Sequence, residues 1–543
     1  MKEQAASDAQ AEGPAAEPAT RHPDLTLSSN KTILQITVAA LGIFLAALDQ
    51  TVIVTALWPI ATDLQVPVTE IDRAAWVVTA YLLGYTVALP LMGRVADVYG
   101  QRRIYLAALG IFTLGSVLCA VAPTLEWLVA ARVVQAVGGG AVLPVGMAMA
   151  SRVFTARRLP FMLGILAAVA EGGGVIGPLW GALVMNLNGL LDLAGWRWIF
   201  WINVPLGLLF GSLMLATPAM PRFPGKIDWA GAALLGAALL ALSLGLSTPG
   251  SASALAGLDP QASPGGPQAG FSLTGLALVA ASVLLLALFA WRQRRAASPL
   301  FPPLLFTRSN RPFLAANLTN LLVGAALIIT MINVPLYVAT VLDGSTVQGG
   351  LMLLRMTAFI PVGAIAGGIL GTRMAYRWIA LAGLLAAAGG FAQMTSWSVS
   401  SAEDPLTWLG LALNGLGFGL LLSPVTATAL QWAGREQAAL SAASVNLSRM
   451  VGMMVSLSLL TTLGLQHFQS RMAAHPAVIF ANPGETTEAF TARQAEYEAI
   501  YKSVSLEVFS AGFLIAGAIC VGGMLLAAML RRNPTSDMTG PIF

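Results

Sequence analysis

The chain has 543 residues, of which 57% are hydrophobic and 10% charged, far below the roughly one-quarter charged residues of a soluble globular protein. That balance excludes a soluble domain and puts most of the chain inside a bilayer. The net charge is +4 and the two cysteines, Cys119 and Cys520, both fall in apolar segments, so no nucleic-acid surface, disulfide framework or thiolate metal site is expected.

Residues 1-31 are an Ala/Glu/Pro-rich polar tail, for which disorder and no cleavable signal peptide are expected. Fourteen apolar runs of about twenty residues follow. The first, 32-57, carries Asp49 in LDQTVIVTAL, and the second, 74-93, leads into the turn GRVADVYGQRR with Gly93, Arg94, Asp97, Gly100, Arg102 and Arg103. After the third, 103-122, the fourth, 127-150, holds Arg132 and Gln135 in ARVVQAVGGG. The fifth, 159-186, contains AVAEGGGVIGPLWG, where Glu171 stands among residues with almost nothing to offer water. Gly173, Gly177, Pro178 and Gly181 in that stretch allow close packing and a bend. The sixth run is 199-217. The seventh, 228-248, and the eighth, 271-291, are separated by a Pro/Gly/Ser-rich loop and followed by the basic linker WRQRRAASPLFPPLLFTRSNRP. The ninth, 313-341, carries Asn317, Asn320 and Asn333, and the tenth, 348-372, carries Arg355. The remaining runs are 376-397, 405-432 with Asn414, 440-465 with Asn446 and Arg449, and 506-530.

An even number of spans puts both termini on one side. Of 29 Lys plus Arg, only Arg73, Arg197, Arg471, Arg493 and Lys502 lie in one set of loops and Arg132, Arg355 and Arg449 inside the runs. The rest fill the tails and alternate loops, so both termini are expected in the cytoplasm. The linkers group the helices as six, two and six. The turns GRVADVYGQRR and GTRMAYRW occupy corresponding places in the two groups of six, as in a duplicated transporter fold. The expected organisation is a tail over 1-31, a six-helix half over 32-217, two inserted helices with linkers over 218-311, a second half over 312-532 and a tail over 533-543.

The six named residues of GRVADVYGQRR resemble the loop signature of the major facilitator superfamily. Leu48, Asp49, Thr51, Ala56 and Leu57 resemble the first-helix motif of its fourteen-helix drug:proton antiporters, Arg132 and Gln135 the fourth-helix motif, and Gly173, Gly177, Pro178 and Gly181 the antiporter motif of the fifth helix. The chain departs from these patterns at Val54, Trp58, Ala136 and Ala182, where asparagine, proline and two glycines are usual. A narrower likeness, carried by TAYLLGYTVALPLMGR, FWINVPL, PVGAIAGG, SRMVGMM and the acid of AEGGGVIGP, is to mycobacterial triacylglyceride exporters that work beside a periplasmic lipid-carrying lipoprotein. The resemblance implies an all-α membrane protein of the major facilitator fold in a bacterial inner membrane, acting as a monomer. It also implies a lipid cargo, a lipoprotein partner and a proton gradient in place of any cofactor. Asp49, Glu171 and Arg449 would belong to the proton-coupling machinery, with Asp97 and the arginines of its turn closing a cytoplasmic gate.

The residues themselves bear on the same points. A sugar or amino-acid carrier needs many convergent hydrogen-bonding groups; here Asn317, Asn320, Asn446 and Arg355 are the main candidates for a polar cavity. A lipophilic cargo fits that sparseness, and twenty methionines supply adaptable walls or simply fill helix contacts. A multidrug:proton antiporter is the alternative reading. At about 1.5 Å of rise per residue, Asp49 and Arg132 lie at similar depth, and Glu171 and Arg449 lie roughly 18 and 14 Å from the cytoplasmic ends of their helices. Both acids therefore have an arginine within reach, the second across the two halves. A lone ionised carboxylate is costly in the membrane, and one whose arginine comes and goes between conformations gains and loses a proton with the cycle. Glu171 is read as that switch. Arg132 and Arg449 also admit a plainer role as structural ties. His22, His467 and His475 lie outside the spans, which leaves a membrane enzyme without a base at depth and offers no metal site. Finally, LQHFQSRMAAH continues the thirteenth run, and Phe490, Tyr497, Ile500, Tyr501 and Val504 form an apolar stripe before the fourteenth. Helical extensions beyond the bilayer are expected over 466-505, against the alternative of a loop with a short interfacial helix.

Overall fold

The computed structural model describes residues 29–66, 71–74, 76–187, 189, 193–219, 225–246, 273–306, 310–399, 405–473, 475 and 486–531. Residues 1–28 of the expected N-terminal tail, the C-terminal tail, the Pro/Gly/Ser-rich loop and Arg308 lie outside the described residues, while 29–31 belong to the first helix. Every element is helical. The first group comprises α1 (Ser29–Val52), the short α2 (Leu57–Asp63) and α3 (Ile71–Ala74), α4 (Trp76–Tyr99), α5 (Gln101–Ala120), α6 (Leu125–Val153), α7 (Leu159–Met185) and α8 (Gly195–Leu215). The inserted pair is α9 (Trp229–Leu246) and α10 (Leu273–Arg295). The second group comprises α11 (Arg311–Thr340), α12 (Thr346–Thr357), α13 (Phe359–Gly371), α14 (Tyr376–Met394), α15 (Pro405–Ala433), α16 (Ala438–Met472) and α17 (Thr487–Ala527). Among the described residues thirteen spans are long and apolar enough to cross a membrane, with α12 and α13 counted as one. The 19-residue α14, with Arg377 and Gln393 at its ends, completes the fourteen.

Two runs read as continuous are broken. The first ends as regular helix at Val52 and passes through a 3-10 turn, Ile53–Ala56, into α2. The tenth divides at Ala358, because Pro361 has no N–H to offer the Thr357 carbonyl one turn earlier. Ser345 and Gln348 form a capping box that starts α12.

The two groups repeat one packing pattern. In the first, α1 packs on α7, α4 and α5 on α6, and α5 on α8; in the second, α11 packs on α16, α13 and α14 on α15, and α14 on α17. Between the groups, α7 lies against α13 and α4 against α16. Small residues make these crossings close: a Cβ on Gly93 would stand 2.8 Å from the Ala439 carbonyl, and one on Gly164 would stand 2.5 Å from that of Ala364. The inserted helices pair with each other, and α9 touches both α4 and α16. Leu273 and Leu284 of α10 are 86% and 70% exposed, as expected of a helix whose outer face meets lipid.

The arginine-rich end of the bundle holds Arg94, Arg102, Arg152, Arg292 and Arg377; α16 and α17 protrude at the other end. Helices of 35 and 41 residues run roughly 52 and 62 Å, against about 30 Å of hydrocarbon. Where they leave the bundle, Phe468 meets Tyr501 edge to face at 5.3 Å and Arg471 pairs with Glu507 at 2.7 Å. Lys502 holds Asp343 at 2.5 Å, tying α17 to the turn after α11. The Phe490-to-Val504 stripe is therefore helical, with Tyr501 its most buried member.

Candidate functional site

Asp49 sits near the end of α1 and is fully buried. Its Oδ2 accepts from Arg132 Nη1 at 2.6 Å, and its Oδ1 accepts from Gln135 Nε2 at 2.9 Å and Asn203 Nδ2 at 2.7 Å. Arg132, also fully buried, donates to Gln135 Oε1 at 2.7 Å and to the Val77 carbonyl at 3.3 Å, and lies 4.0 Å over the ring of Tyr81. Gln135 donates on to Ser116 Oγ at 2.8 Å. Five helices of one group thus join in one network: α1 carries the carboxylate, α6 and α8 donate to it, and α4 and α5 hold Arg132 and Gln135. Charges taken so completely from water persist only when paired and hydrogen-bonded; the carboxylate meets both conditions on each oxygen, and Arg132 does so through Nη1 and Nε while its Nη2 has no partner among the described residues.

Glu171 stands midway along α7. Its Oε1 receives Arg449 Nη1 of α16 at 2.6 Å, so this ion pair crosses between the two groups of helices. The Glu171 and Arg449 side chains keep 21% and 14% of their surface exposed. A Cβ on Gly172 would meet nothing within 4 Å, whereas one on Gly173 would stand 2.8 Å from the Phe44 carbonyl of α1. One face of α7 is therefore packed and the other, beside the acid, is open.

The other polar contacts between the groups gather towards the arginine-rich end. Asp97 of α4 accepts from the backbone N–H groups of Ala439 and Leu440 at 3.1 and 3.0 Å, capping the first turn of α16. Ser423 Oγ donates to the Pro160 carbonyl at 2.5 Å and Gln431 Nε2 to the Ala156 carbonyl at 3.4 Å. Arg152, which sequence reasoning did not single out, pairs with Asp97 at 3.5 Å. Gly100 has φ +99°, a backbone open to glycine, and is the N-cap residue before α5. Arg102 binds the Met214 and Leu215 carbonyls at the end of α8, inside its own group, and Arg103 is exposed. The turn thus contributes Gly93 and Asp97 to the contact with α16, and Arg102 to packing within one half.

The expected polar cavity groups are placed differently. Asn320 Nδ2 donates to the Val445 carbonyl at 2.7 Å, and Asn317 receives Ser448 Oγ at 3.2 Å, so both tie α11 to α16. Asn446 donates along its own helix to Ala442 at 2.9 Å. Arg355 stacks 4.1 Å over the ring of Trp408 at the start of α15. An amide in a span donates to a backbone carbonyl within reach, as a second donor to it: Asn317 and Asn446 use the carbonyl one turn earlier, and Asn320 uses one on the neighbouring helix. Asn203, Ser116 and Tyr81 are the contacts of this network that sequence reasoning missed. The available signal was the asparagine of FWINVPL, a polar residue within a span.

Residues 39–457 match the family model described as Major Facilitator Superfamily. The chain is 33% identical over 513 residues to the triacylglyceride transporter of Mycolicibacterium smegmatis, covering 92% of this chain and 87% of that protein. It is likewise 33% identical over 511 residues to the triacylglyceride transporter of Mycobacterium tuberculosis, covering 91% and 94%. Among solved structures, the proton:xylose symporter XylE aligns with a TM-score of 0.57 at 14% identity, covering 92% of this chain and 95% of that one. The human organic anion transporter TETRAN aligns with a TM-score of 0.55 at 14% identity, covering 90% and 99%. At such identities the two structures speak for the fold alone. With its two six-helix halves, inserted pair and matching family model, the chain belongs to the major facilitator superfamily and is a multi-pass membrane transporter.

Proposed function

We propose that this transporter is a proton-driven exporter of a lipophilic substrate of the triacylglyceride class, working by alternating access as its two halves rock against each other. The observation that carries the reading is the Glu171–Arg449 pair, which crosses between the halves while staying partly open to the space between them. When the halves separate, Arg449 leaves and the acid takes a proton; when they close, the returning guanidinium favours the carboxylate and releases it. Asp49, held by Arg132, Gln135 and Asn203, is the second acid of the coupling machinery. The arginine-rich end faces the cytoplasm of a bacterial inner membrane, with both termini there. Asp97 on the start of α16 holds that side shut, and the cavity beside Glu171 opens outward. The names of the relatives and the sparse polar lining support a lipid cargo. The protruding ends of α16 and α17 lead an acyl chain from the cavity towards a periplasmic lipid-carrying lipoprotein. The transporter acts as a monomer, and the proton gradient takes the place of a cofactor.

The test uses proteoliposomes, a triacylglycerol with a fluorescent acyl chain and an imposed pH gradient. Transport that stops when a protonophore collapses the gradient is the expected result. Transport indifferent to the gradient overturns the coupling. Movement of lipophilic cations without movement of the triacylglycerol overturns the cargo in favour of drug efflux.

A further inference from the structure

Pro178 lies inside α7 and has no N–H, so the carbonyl one turn earlier, that of Gly174, lacks its helical donor. In a membrane span a freed carbonyl must find another partner. The hydroxyl of Thr51, from α1, supplies it: Oγ1 donates to the Gly174 carbonyl at 3.0 Å, while the intrahelical alternative, the Leu48 carbonyl, lies at 3.4 Å. The neighbouring glycines make room for this contact. A Cβ on Gly177 would fall on Thr51 Oγ1, and one on Gly181 would stand 2.9 Å from the Val52 carbonyl.

The bond has a particular place in the chain. Thr51 is two residues after Asp49, on the face of α1 turned away from the Arg132, Gln135 and Asn203 donors, and the 3-10 turn begins at Ile53. Gly174 is one turn after Glu171. A single hydroxyl therefore joins the last regular turn of the helix bearing the buried acid to the proline turn that follows Glu171 in α7. We infer that Thr51 is a positioning residue: by taking up the carbonyl that Pro178 frees, it sets the bend of α7, and with it the placement of Glu171 against Arg449, according to the position of α1. The two acids are then linked mechanically through backbone, without touching. This inference rests on the proton-coupled reading above for its consequence in transport, but its structural content stands apart from that reading.

Simple packing of a threonine against glycines predicts that the isosteric Thr51→Val is silent. The inference predicts otherwise. Thr51→Val strands a carbonyl, so gradient-driven transport of the fluorescent triacylglycerol should fall about tenfold, the size of one lost buried hydrogen bond, and its pH profile should shift. Thr51→Ser should restore both. Pro178→Ala returns an N–H to α7, so on that background Thr51→Val should add nothing. Hydrogen exchange of the 171–178 backbone in nanodiscs supplies a readout independent of transport: faster in Thr51→Val, slow again in Thr51→Ser and in the Thr51→Val, Pro178→Ala double variant. Wild-type exchange in Thr51→Val, or an equal effect with and without Pro178, overturns the inference. Wild-type transport with no pH dependence overturns the proton-coupled reading instead, and the exchange measurement still decides the role of Thr51.

Discussion

Arg132 meets Asp49 and Arg449 meets Glu171 at the same 2.6 Å, yet the first pair is closed to solvent and the second keeps 14% and 21% of its side chains open. The first lies within one half and is completed by Gln135 and Asn203; the second joins the halves and has a bare helix face beside it. Contact distance therefore says little about what an ion pair does. A buried pair enclosed by further hydrogen bonds within one half is a fixed point. A pair whose members belong to different rigid bodies is broken by their relative motion, and its charges must then be met by water or by a proton.

The strongest way to break this comparison is Glu171→Gln, which removes the titratable proton and keeps the shape. Gradient-driven transport should fall to the level of empty liposomes while the melting temperature stays within a few degrees of wild type, on the order of a surface substitution. Retained transport would end the assignment. Next in size is the contrast between the arginines. Arg132→Met leaves a buried carboxylate without its cation and should cost about 3 to 5 kcal/mol, read as lost folded yield and an earlier melt in detergent. Arg449→Met, at a pair that keeps 14% and 21% of its side chains open, should cost less, because water or a proton can meet the remaining carboxylate. Equal destabilisation by the two would erase the distinction. A third measurement is transport by Arg449→Ala: with the guanidinium gone, no partner returns to Glu171 when the halves close, so gradient-driven transport should fall well below wild type, and wild-type transport would separate Arg449 from the coupling.

The smallest effect belongs to a control pair at the edge of the bundle. Asp228, just before α9, is bound by Arg292 at 2.6 Å, by the Gly231 N–H at 2.9 Å and by Gln293 at 3.1 Å. Burial pushes its carboxyl up, but the hydrogen bond from Arg292 and the other donors outweigh that and hold it below the ordinary carboxylate range. A lowered native value means stability present above the unfolded value of about 3.9 and lost as pH falls below it. Melting followed from pH 6 to pH 3 should show wild type losing about 1 kcal/mol more than Asp228→Asn, with transport at neutral pH unaffected. A parallel fall in both proteins would remove the pair's contribution.

The four charges of the two central pairs were legible because an ionised side chain inside a span is rare and helix rise alone sets its depth. Their amide partners were not. Asn203 matters only because α8 lies beside α1, and Asn317 and Asn320 serve packing only because α16 covers α11. Which face of an all-apolar helix meets a neighbour is decided by tertiary fit, and on a helix apolar all round the pattern does not mark it. Proline shows the same limit. Pro361 coincides with a break in helix geometry, while Pro144 and Pro424 lie within the unbroken α6 and α15. The long α16 and α17 were readable, since their polar continuation keeps helical periodicity without a proline.

Where α7 crosses α13 the two halves meet backbone to backbone, with Gly164 against the Ala364 carbonyl and the Cα of Gly368. Such a joint has almost no relief. Parting it requires no side chain to be drawn out of a socket, only the loss of dispersion over a shallow strip, and closing it needs no rotamer to be found again. Under the alternating access proposed above, a seam of this kind opens at low activation cost, which suits the proposed passenger with several acyl chains better than one the size of a sugar. Interlocked leucines at the same crossing would hold the seam more firmly and make each turnover wait on their release.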